Sequence, residues 1–311
     1  MKELEIIRHR QIEGLSLFFD TVEYRSPHFH PEWELIWITD GTLSVRCGVR
    51  EYAGKADDLF LFCPGQVHEF RHIGGNATFL CLQIAPQLFG EAVPGLRQTV
   101  TETPYVNPCL HGGQGEQVRR LLRQMMGDYL ERPPLYELNC ISLCGKLLHL
   151  LLSSVPCRTL TAEERAQTDQ RNARLERFLR FVDENYMHRL RLADFAAAEG
   201  CSTSYISRFI KTALNQTFQE YLGSVRYHSA CRLIAGGGMK MLDVCEESGF
   251  SDYRYFSAAF KAQCGMTPEE YGRQTAGVRD EPLRRSLHSL ERFYTGDESR
   301  ELLMRITNKI S

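Results

Sequence analysis

The 311-residue sequence lacks any run of about eighteen apolar residues, so no segment has the composition of a membrane-spanning helix. It also lacks an apolar leader. Its first residues, MKELEIIRHRQIEG, carry charge where a secretion signal needs a hydrophobic stretch. The expectation is a soluble chain that stays in the cytoplasm. No CxxC pair occurs, and the 11 cysteines are odd in number, which disfavours a disulfide framework or a cysteine-rich zinc module. Most sit among apolar neighbours, as Cys63 does after LFLF and Cys81 within FLCLQI, and read as buried free thiols of a reducing compartment. Cys140 and Cys144 stand one helical turn apart, but no second pair accompanies them as a metal or redox site would need. A strong charge of either sign is missing too: the net charge is −2. Residues 1–115 hold 9 Lys+Arg against 14 Asp+Glu, and residues 171–275 hold 14 against 12. That weak gradient has the sign of an acidic sensing half joined to a half that meets a polyanion. Disorder is excluded by a 43% hydrophobic and 24% charged composition, and the length suffices for two cores.

What the sequence does have is a change of period. The first hundred residues alternate in short stretches (TLSVRCGV, DLFLF, ATFLCLQI) separated by Gly41, Gly54, Pro64-Gly65 and Gly74-Gly75, the pattern of a small β-barrel or jelly roll. From Glu116 the period becomes helical. Val118, Leu121, Leu122, Met125, Met126 and Tyr129 line one stripe, and a second apolar helix is expected over 136–152. A polar stretch at 156–171 reads as a linker. Beyond it the chain is helical, beginning with the stripe Leu175, Phe178, Leu179, Val182 and Tyr186. The expected architecture is therefore α+β in two domains. A barrel with helices fills 1–155, an all-α domain fills 172–275, and 276–311 is a charged helical extension with two amphipathic stretches. Leu283, Leu287, Leu290 and Tyr294 mark the first stretch; Leu302, Leu303, Ile306 and Ile310 mark the second.

Two segments of the all-α domain share landmarks. In LADFAAAEGCSTSYISRFIK, Leu192, Phe195 and Ala196 form a buried face, Gly200 ends the helix and Ser202 caps the next. Ile206, Phe209 and Ile210 point inward, leaving Thr203, Ser204, Ser207, Arg208 and Lys211 outside. In MLDVCEESGFSDYRYFSAAFK, Met241, Val244 and Cys245 are buried, Gly249 ends the helix and Ser251 caps the next. Phe256 and Phe260 point inward, and Asp252, Tyr253, Arg254, Ser257, Ala258 and Lys261 outward. Each segment reads as a helix-turn-helix whose second helix offers polar side chains to a major groove. Between them one helix is expected over 217–235, with a rise of about 28 Å. That is close to the ~34 Å repeat of DNA, so the two readers suit successive grooves on one face of a duplex. A single such pattern occurs in many helical bundles; the tandem with matching Gly and Ser landmarks is far more specific.

These residues resemble the DNA-binding domain of AraC-type transcription regulators over roughly 172–275. The resemblance rests on GF-x-D-x-x-YF-x-x-x-FK at Gly249 to Lys261 and on G-x-TP-x-x-Y at Gly265, Thr267, Pro268 and Tyr271. It implies base contacts from Ser204, Ser207 and Arg208 in the first unit and from Tyr253, Arg254, Ser257 and Ala258 in the second. Ala258 departs from the long polar residue common there, while Ile210 and Cys245 replace the usual Phe and Ala in the core. Arg226 matches an arginine that is mainly structural. By chemistry Arg208 and Arg254 suit guanine, and the serines and lysines suit phosphates.

In the amino-terminal half, HFHPEWELIWITDG sets His28, His30 and Glu34 at one parity, so on a regular strand all three share a face; CPGQVH brings His68 to the same barrel mouth. The H-x-H, Glu and Gly spacing is similar to the first cupin motif, and P-x-x-x-H to the shortened second motif of AraC-type effector domains. Val22 and Gln66 depart from the cupin pattern. The resemblance implies a cupin-like barrel in which His28, His30, Glu34 and His68 line an effector site, a carbohydrate being the leading expectation, without a required cofactor. The same four residues are also a plausible divalent-metal set. Trp33 and Trp37 have the opposite parity and are expected in the core. Helices at 116–131 and 136–152 fall where the family dimerises, although packing on the barrel accounts for them equally. The function expected is a DNA-binding regulator, an activator that answers a small organic effector, with DNA, RNA polymerase and a second copy as partners. A metal-dependent cupin enzyme with a helical appendage and a ligand-independent regulator are the alternatives.

Overall fold

A computed structural model describes residues 11–275, 289–294 and 296–308. Two compact units divide them. One holds residues 11–172 together with 291–294 and 296–308; the other holds 173–275 with Ser289 and Leu290.

The first unit is a nearly closed β-barrel. Its strands are β1 (Leu15–His28), β2 (Trp33–Asp40), β3 (Thr42–Cys47), β4 (Arg50–Lys55), β5 (Leu59–Phe62), β6 (His68–His72) and β7 (Ala77–Ile84). They pair in the order β4-β3-β6-β1-β7-β2-β5. A separate ribbon joins β8 (Thr99–Thr101) to β9 (Cys157–Thr159). The helices α1 (Gln114–Glu131) and α2 (Tyr136–Ser154) follow the barrel in the chain.

Alternation sorts the strand residues into two cores. On β2, Ile36 and Ile38 join Val45, Phe60, Phe62, Phe70 and Phe79 inside the barrel. Trp33, Leu35 and Trp37 face outward into a second core with Leu80, Leu82 and the apolar stripes of α1 and α2. Strands covered on both faces read as continuous apolar runs, which is why LFLF and TFLCLQI lack the alternation seen in TLSVRC. The two tryptophans are thus structural, at 0% and 1% exposed. All six residues of the α1 stripe are buried. Val49, expected to continue the β3 alternation, lies in the turn after it and is exposed. Cys140 and Cys144 are buried in the outer core; burial first, then nearby acidic groups, raises Cys140 to about 11, and burial pushes Cys144 higher still.

Two segments hold structure beyond what was expected. Residues 156–171, expected as a polar linker, hold regular structure: after β9 the chain enters α3 (Ala162–Asn185), a single 24-residue helix. Its start is polar yet rich in Ala, Glu, Arg and Gln, which favour helix however hydrophilic they are. Glu164 accepts from the Thr161 N–H at 2.9 Å and its own N–H donates back to Thr161 Oγ1, closing a capping box. The tail differs as well. Leu290 lies on a strand, β10 (Ser289–Phe293), which pairs with β1, and Tyr294 lies just past its end; Leu283 and Leu287 fall outside the described residues. Glu291 forms a buried ion pair with Arg25 at 2.9 Å, and Tyr294 shares a hydrogen bond with Thr21 at 2.9 Å. The second stretch is helix α10 (Gly296–Asn308), whose Leu302, Leu303 and Ile306 pack on the outer core; Ile310 lies outside the described residues.

Over 173–275 the second unit is helical: the end of α3, then α4 (Leu192–Ala198), α5 (Thr203–Leu214), α6 (Phe218–Gly236), α7 (Met241–Glu247), α8 (Tyr253–Cys264) and α9 (Pro268–Thr275). The 19 residues of α6 begin in a full capping box between Thr217 and Glu220. The helix packs against α5, α7, α8 and α9 and thereby ties both helix pairs into one unit.

Candidate functional site

Gly200 and Gly249 take left-handed conformations, with φ of +64° and +85°, and end α4 and α7 as C-terminal glycines do. Ser202 caps α5 by accepting from the Tyr205 N–H at 3.2 Å. The cap of α8 is Asp252, which accepts from the Tyr255 N–H at 2.8 Å; Ser251, expected in that role, lies one residue outside. Aspartate serves a cap as well as serine does, and the GF-x-D pattern places it at the helix boundary.

With Ile206 and Ile210 buried on α5, Ser204, Ser207, Arg208 and Lys211 stand exposed along its outer face, while Phe209 is half-buried. On α8, Phe256 and Phe260 are buried and Arg254, Ala258 and Lys261 are exposed; Tyr253 and Ser257 are half-buried. The Tyr253 hydroxyl donates to Glu269 on α9. Burial and that contact push its ionisation up to about 12, so this ring is held in place as a neutral donor. Arg208 and Arg254 form no hydrogen bond or ion pair within the described residues, in contrast to Arg174 and Arg177, which are both engaged by Glu199. Arg226 is structural: its guanidinium donates to the carbonyls of Tyr186 and His188 at 2.8 Å each, fastening α6 to the end of α3.

In the barrel unit His28, His30, Glu34 and His68 come together, with ligand atoms all within 4.8 Å of one another. They are 9%, 1%, 2% and 1% exposed. They do not share one strand, however. His28 ends β1, His30 lies in the turn that follows and Glu34 sits on β2. Pro31, which cannot donate to a ladder, breaks the run, and a register shift between Arg25 and His28 sets His28 directly opposite His68 on β6. Convergence thus comes from a strand end, a turn and two neighbouring strands.

Each ring has a defined environment. His28 Nδ1 lies 2.8 Å from the Ser26 carbonyl and His68 Nδ1 2.9 Å from the Gln66 carbonyl. A carbonyl can only accept, so both Nδ1 atoms carry the proton and both Nε2 atoms present a lone pair in the neutral ring. His28 Nε2 is buried without a hydrogen bond among the described residues. His68 Nε2 lies 3.3 Å from Glu34 Oε1, and His30 Nε2 lies 3.1 Å from Glu34 Oε2. Gln83, the cross-strand partner of Glu34, donates to Oε2 at 2.8 Å. Sequence reading missed Gln83; its signal was a polar residue inside FLCLQI. Burial pushes His28 well below the ordinary imidazole range and lowers His68. Burial alone would raise the Glu34 carboxyl, but its contact with His30 holds it well below the ordinary range.

A cavity of about 450 Å³ is lined by neighbours of the cluster in sequence and register, and by none of its four members. Its lining includes Gln66 and Val67, which precede His68, and Cys47, the register partner of His68. Arg50, Arg158 and Arg171 belong to the lining, as does Tyr52, whose buried hydroxyl has no hydrogen-bond partner among the described residues. Among the described residues no helix is long and apolar enough to cross a membrane.

Comparison with known proteins agrees with both halves. Residues 11–148 match an AraC-like ligand binding domain and residues 195–274 a helix-turn-helix domain. The virulence regulon transcriptional activator VirF of Yersinia enterocolitica is 27% identical over 244 residues, 77% of this chain and 79% of that protein. The HTH-type transcriptional regulator ExsA of Pseudomonas aeruginosa is 24% identical over 292 residues, 86% of this chain and 95% of that one. The match to the Escherichia coli regulator YijO, 26% identical, spans 54% of that relative. Among solved structures, ToxT from Vibrio cholerae covers 84% of this chain and 99% of its own at 15% identity, with a TM-score of 0.43. These relatives are transcription regulators and not enzymes, which removes the cupin-enzyme alternative. The chain belongs to the AraC family of transcription regulators, with a ligand-binding barrel followed by a helix-turn-helix DNA-binding domain.

Proposed function

We propose that this cytoplasmic regulator reads two successive major grooves with α5 and α8 and activates transcription in response to a signal sensed by the barrel. The observation that carries the DNA-reading part is the pair of exposed arginines, Arg208 and Arg254, at equivalent helix faces and without protein partners among the described residues. A guanidinium left free in this way is available to grip guanine O6 and N7. Ser204, Ser207, Lys211, Ser257 and Lys261 take phosphate contacts, Tyr253 and Ala258 apolar or edge contacts. Activation, and with it contact to RNA polymerase, is carried over from VirF of Yersinia enterocolitica, a transcriptional activator.

For the sensor, His28, His30, Glu34 and His68 form the polar heart of the barrel, and the adjoining cavity supplies room for an organic effector. Arg158 is paired with Glu164 and Glu102 also lines the cavity, so Arg50 and Arg171 are the guanidinium groups that favour a carboxylate- or phosphate-bearing molecule. A carbohydrate draws no support from these contacts, because both tryptophans are in the core. Dimerisation through α2 is part of this reading, since Leu138 is 63% exposed on that helix.

Gel-shift titration on the DNA upstream of the protein's own and neighbouring genes tests the reading. Wild type should bind one fragment specifically, and Arg208→Ala and Arg254→Ala should each weaken it by about 1–3 kcal/mol. Wild-type binding by both variants would refute the assignment of reading helices.

A further inference from the structure

The buried tetrad has one feature that an organic-ligand lining does not require. Two of its imidazoles are locked by backbone carbonyls as Nδ1–H tautomers, so their Nε2 lone pairs face inward. The lone pair of His68 meets a carboxylate oxygen of Glu34 at 3.3 Å, acceptor against acceptor. In water such a meeting is screened; here both side chains are no more than 3% exposed. A dication held between them would turn both lone pairs into ligand bonds. The rings cannot turn away either. His68 is stacked on Phe62 with centroids 4.2 Å apart and meets His28 edge-on at 4.1 Å.

We infer that His28, His30, His68 and Glu34 bind a first-row transition-metal dication. The donor set is three imidazoles and one carboxylate, which suits Zn²⁺, Mn²⁺ or Fe²⁺ and not the all-oxygen shells of Ca²⁺ or Mg²⁺. Bonds of about 2.0–2.2 Å place ligand atoms roughly 3–4.4 Å apart, and those of the tetrad lie within 4.8 Å of one another. The outer contacts are those a metal site needs: carbonyls of Ser26 and Gln66 fix the two tautomers, and the amide of Gln83 orients the carboxylate. Such an ion ties the end of β1, the following turn, β2 and β6 together at one barrel mouth.

The inference rests on the reading of the tetrad as part of the sensing barrel, and it adds a metal ion at the tetrad itself, apart from any organic effector in the cavity. Its test uses the full-length chain, prepared without a polyhistidine tag and dialysed against EDTA. Titration with Co²⁺ under anaerobic conditions, followed by visible d–d absorption, and with Zn²⁺ by calorimetry should give one equivalent per chain and a raised thermal midpoint. His28→Gln and Glu34→Gln should each weaken Zn²⁺ binding at least 100-fold; Glu34→Gln keeps the size of the side chain, and far-UV circular dichroism checks that each variant folds. Fewer than 0.1 equivalents bound at micromolar Zn²⁺, or unchanged affinity in two folded variants, overturns the inference. Specific DNA binding, measured on the same EDTA-treated protein, separates the two readings. Operator binding without metal binding defeats the metal site and leaves the regulator; stoichiometric metal without operator binding does the reverse.

Discussion

Replacing Gly249 by alanine isolates how the second helix-turn-helix is held. At φ +85° a β-carbon is disfavoured by about 1–2 kcal/mol. Space adds to this. The new methyl would overlap the Tyr186 carbonyl oxygen, and it would lie 2.9 Å from Met187 Cα and 3.0 Å from Arg226 Nε. Backbone cannot yield as a side-chain tip can, so the end of α3 must shift, stretching the two hydrogen bonds by which Arg226 holds Tyr186 and His188. A hydrogen bond from a charged donor contributes about 1.5–3 kcal/mol. Losing one of the two brings the total to about 3–5 kcal/mol, which lowers the melting of a helical unit of this size by at least about 10 °C. The control is Gly200→Ala. It has the same left-handed geometry, φ +64°, but nothing within 4 Å of the added carbon, and should cost only about 1–2 kcal/mol. Thermal unfolding of the full chain, with hydrogen exchange of peptides from α7 and α8, reads the difference. Equal losses for the two variants would refute the packing argument.

Three further outcomes follow from the geometry. Removing one partner of the buried Arg25–Glu291 pair, as in Glu291→Ala, should destabilise the barrel unit by about 3–5 kcal/mol, while the double variant Arg25→Met/Glu291→Leu recovers much of it; urea unfolding checks both. Glu199, held below the ordinary carboxylate range first by Arg177 and then by Arg174, stabilises the helical unit above its unfolded pKa and loses that contribution as pH falls through the lower folded value. Glu199→Gln should therefore reduce stability at pH 7 and matter progressively less below about pH 4 in thermal melts. Cys140, with its thiol raised to about 11, and Cys144, raised further, should resist iodoacetamide at pH 8 in the folded protein and react once it is unfolded, as peptide mass spectrometry would show.

Much of the helical half was legible because its cores are periodic. The α1 stripe, the α3 stripe, the two C-terminal glycines and the extent of α6 follow from spacing and cap residues, which act locally. The Asp252 cap was misassigned by one residue because Ser251 has the same local chemistry. Errors grew where tertiary context decides. The start of α3 is polar, and its hydrophilicity hid that its residues favour helix. Leu290 fits a helical stripe but falls on the strand β10, and no local signal carries that outcome. At the tetrad, the identities of all four residues were readable from spacing, and their convergence was right for the wrong reason. The shared strand face does not exist; Pro31 and a β-bulge replace it. The Nδ1 locks by Ser26 and Gln66 carbonyls are backbone contacts, invisible to any side-chain pattern.

Hydroxyl-radical footprinting of the specific fragment tests the central claim most directly. Two protected tracts on one face of the duplex, about 10–10.5 base pairs apart centre to centre, with the α5-proximal tract lost in Arg208→Ala and the other in Arg254→Ala, are expected. A single tract, or protection that spreads without sequence preference and vanishes uniformly with salt, contradicts the account of two readers held by α6.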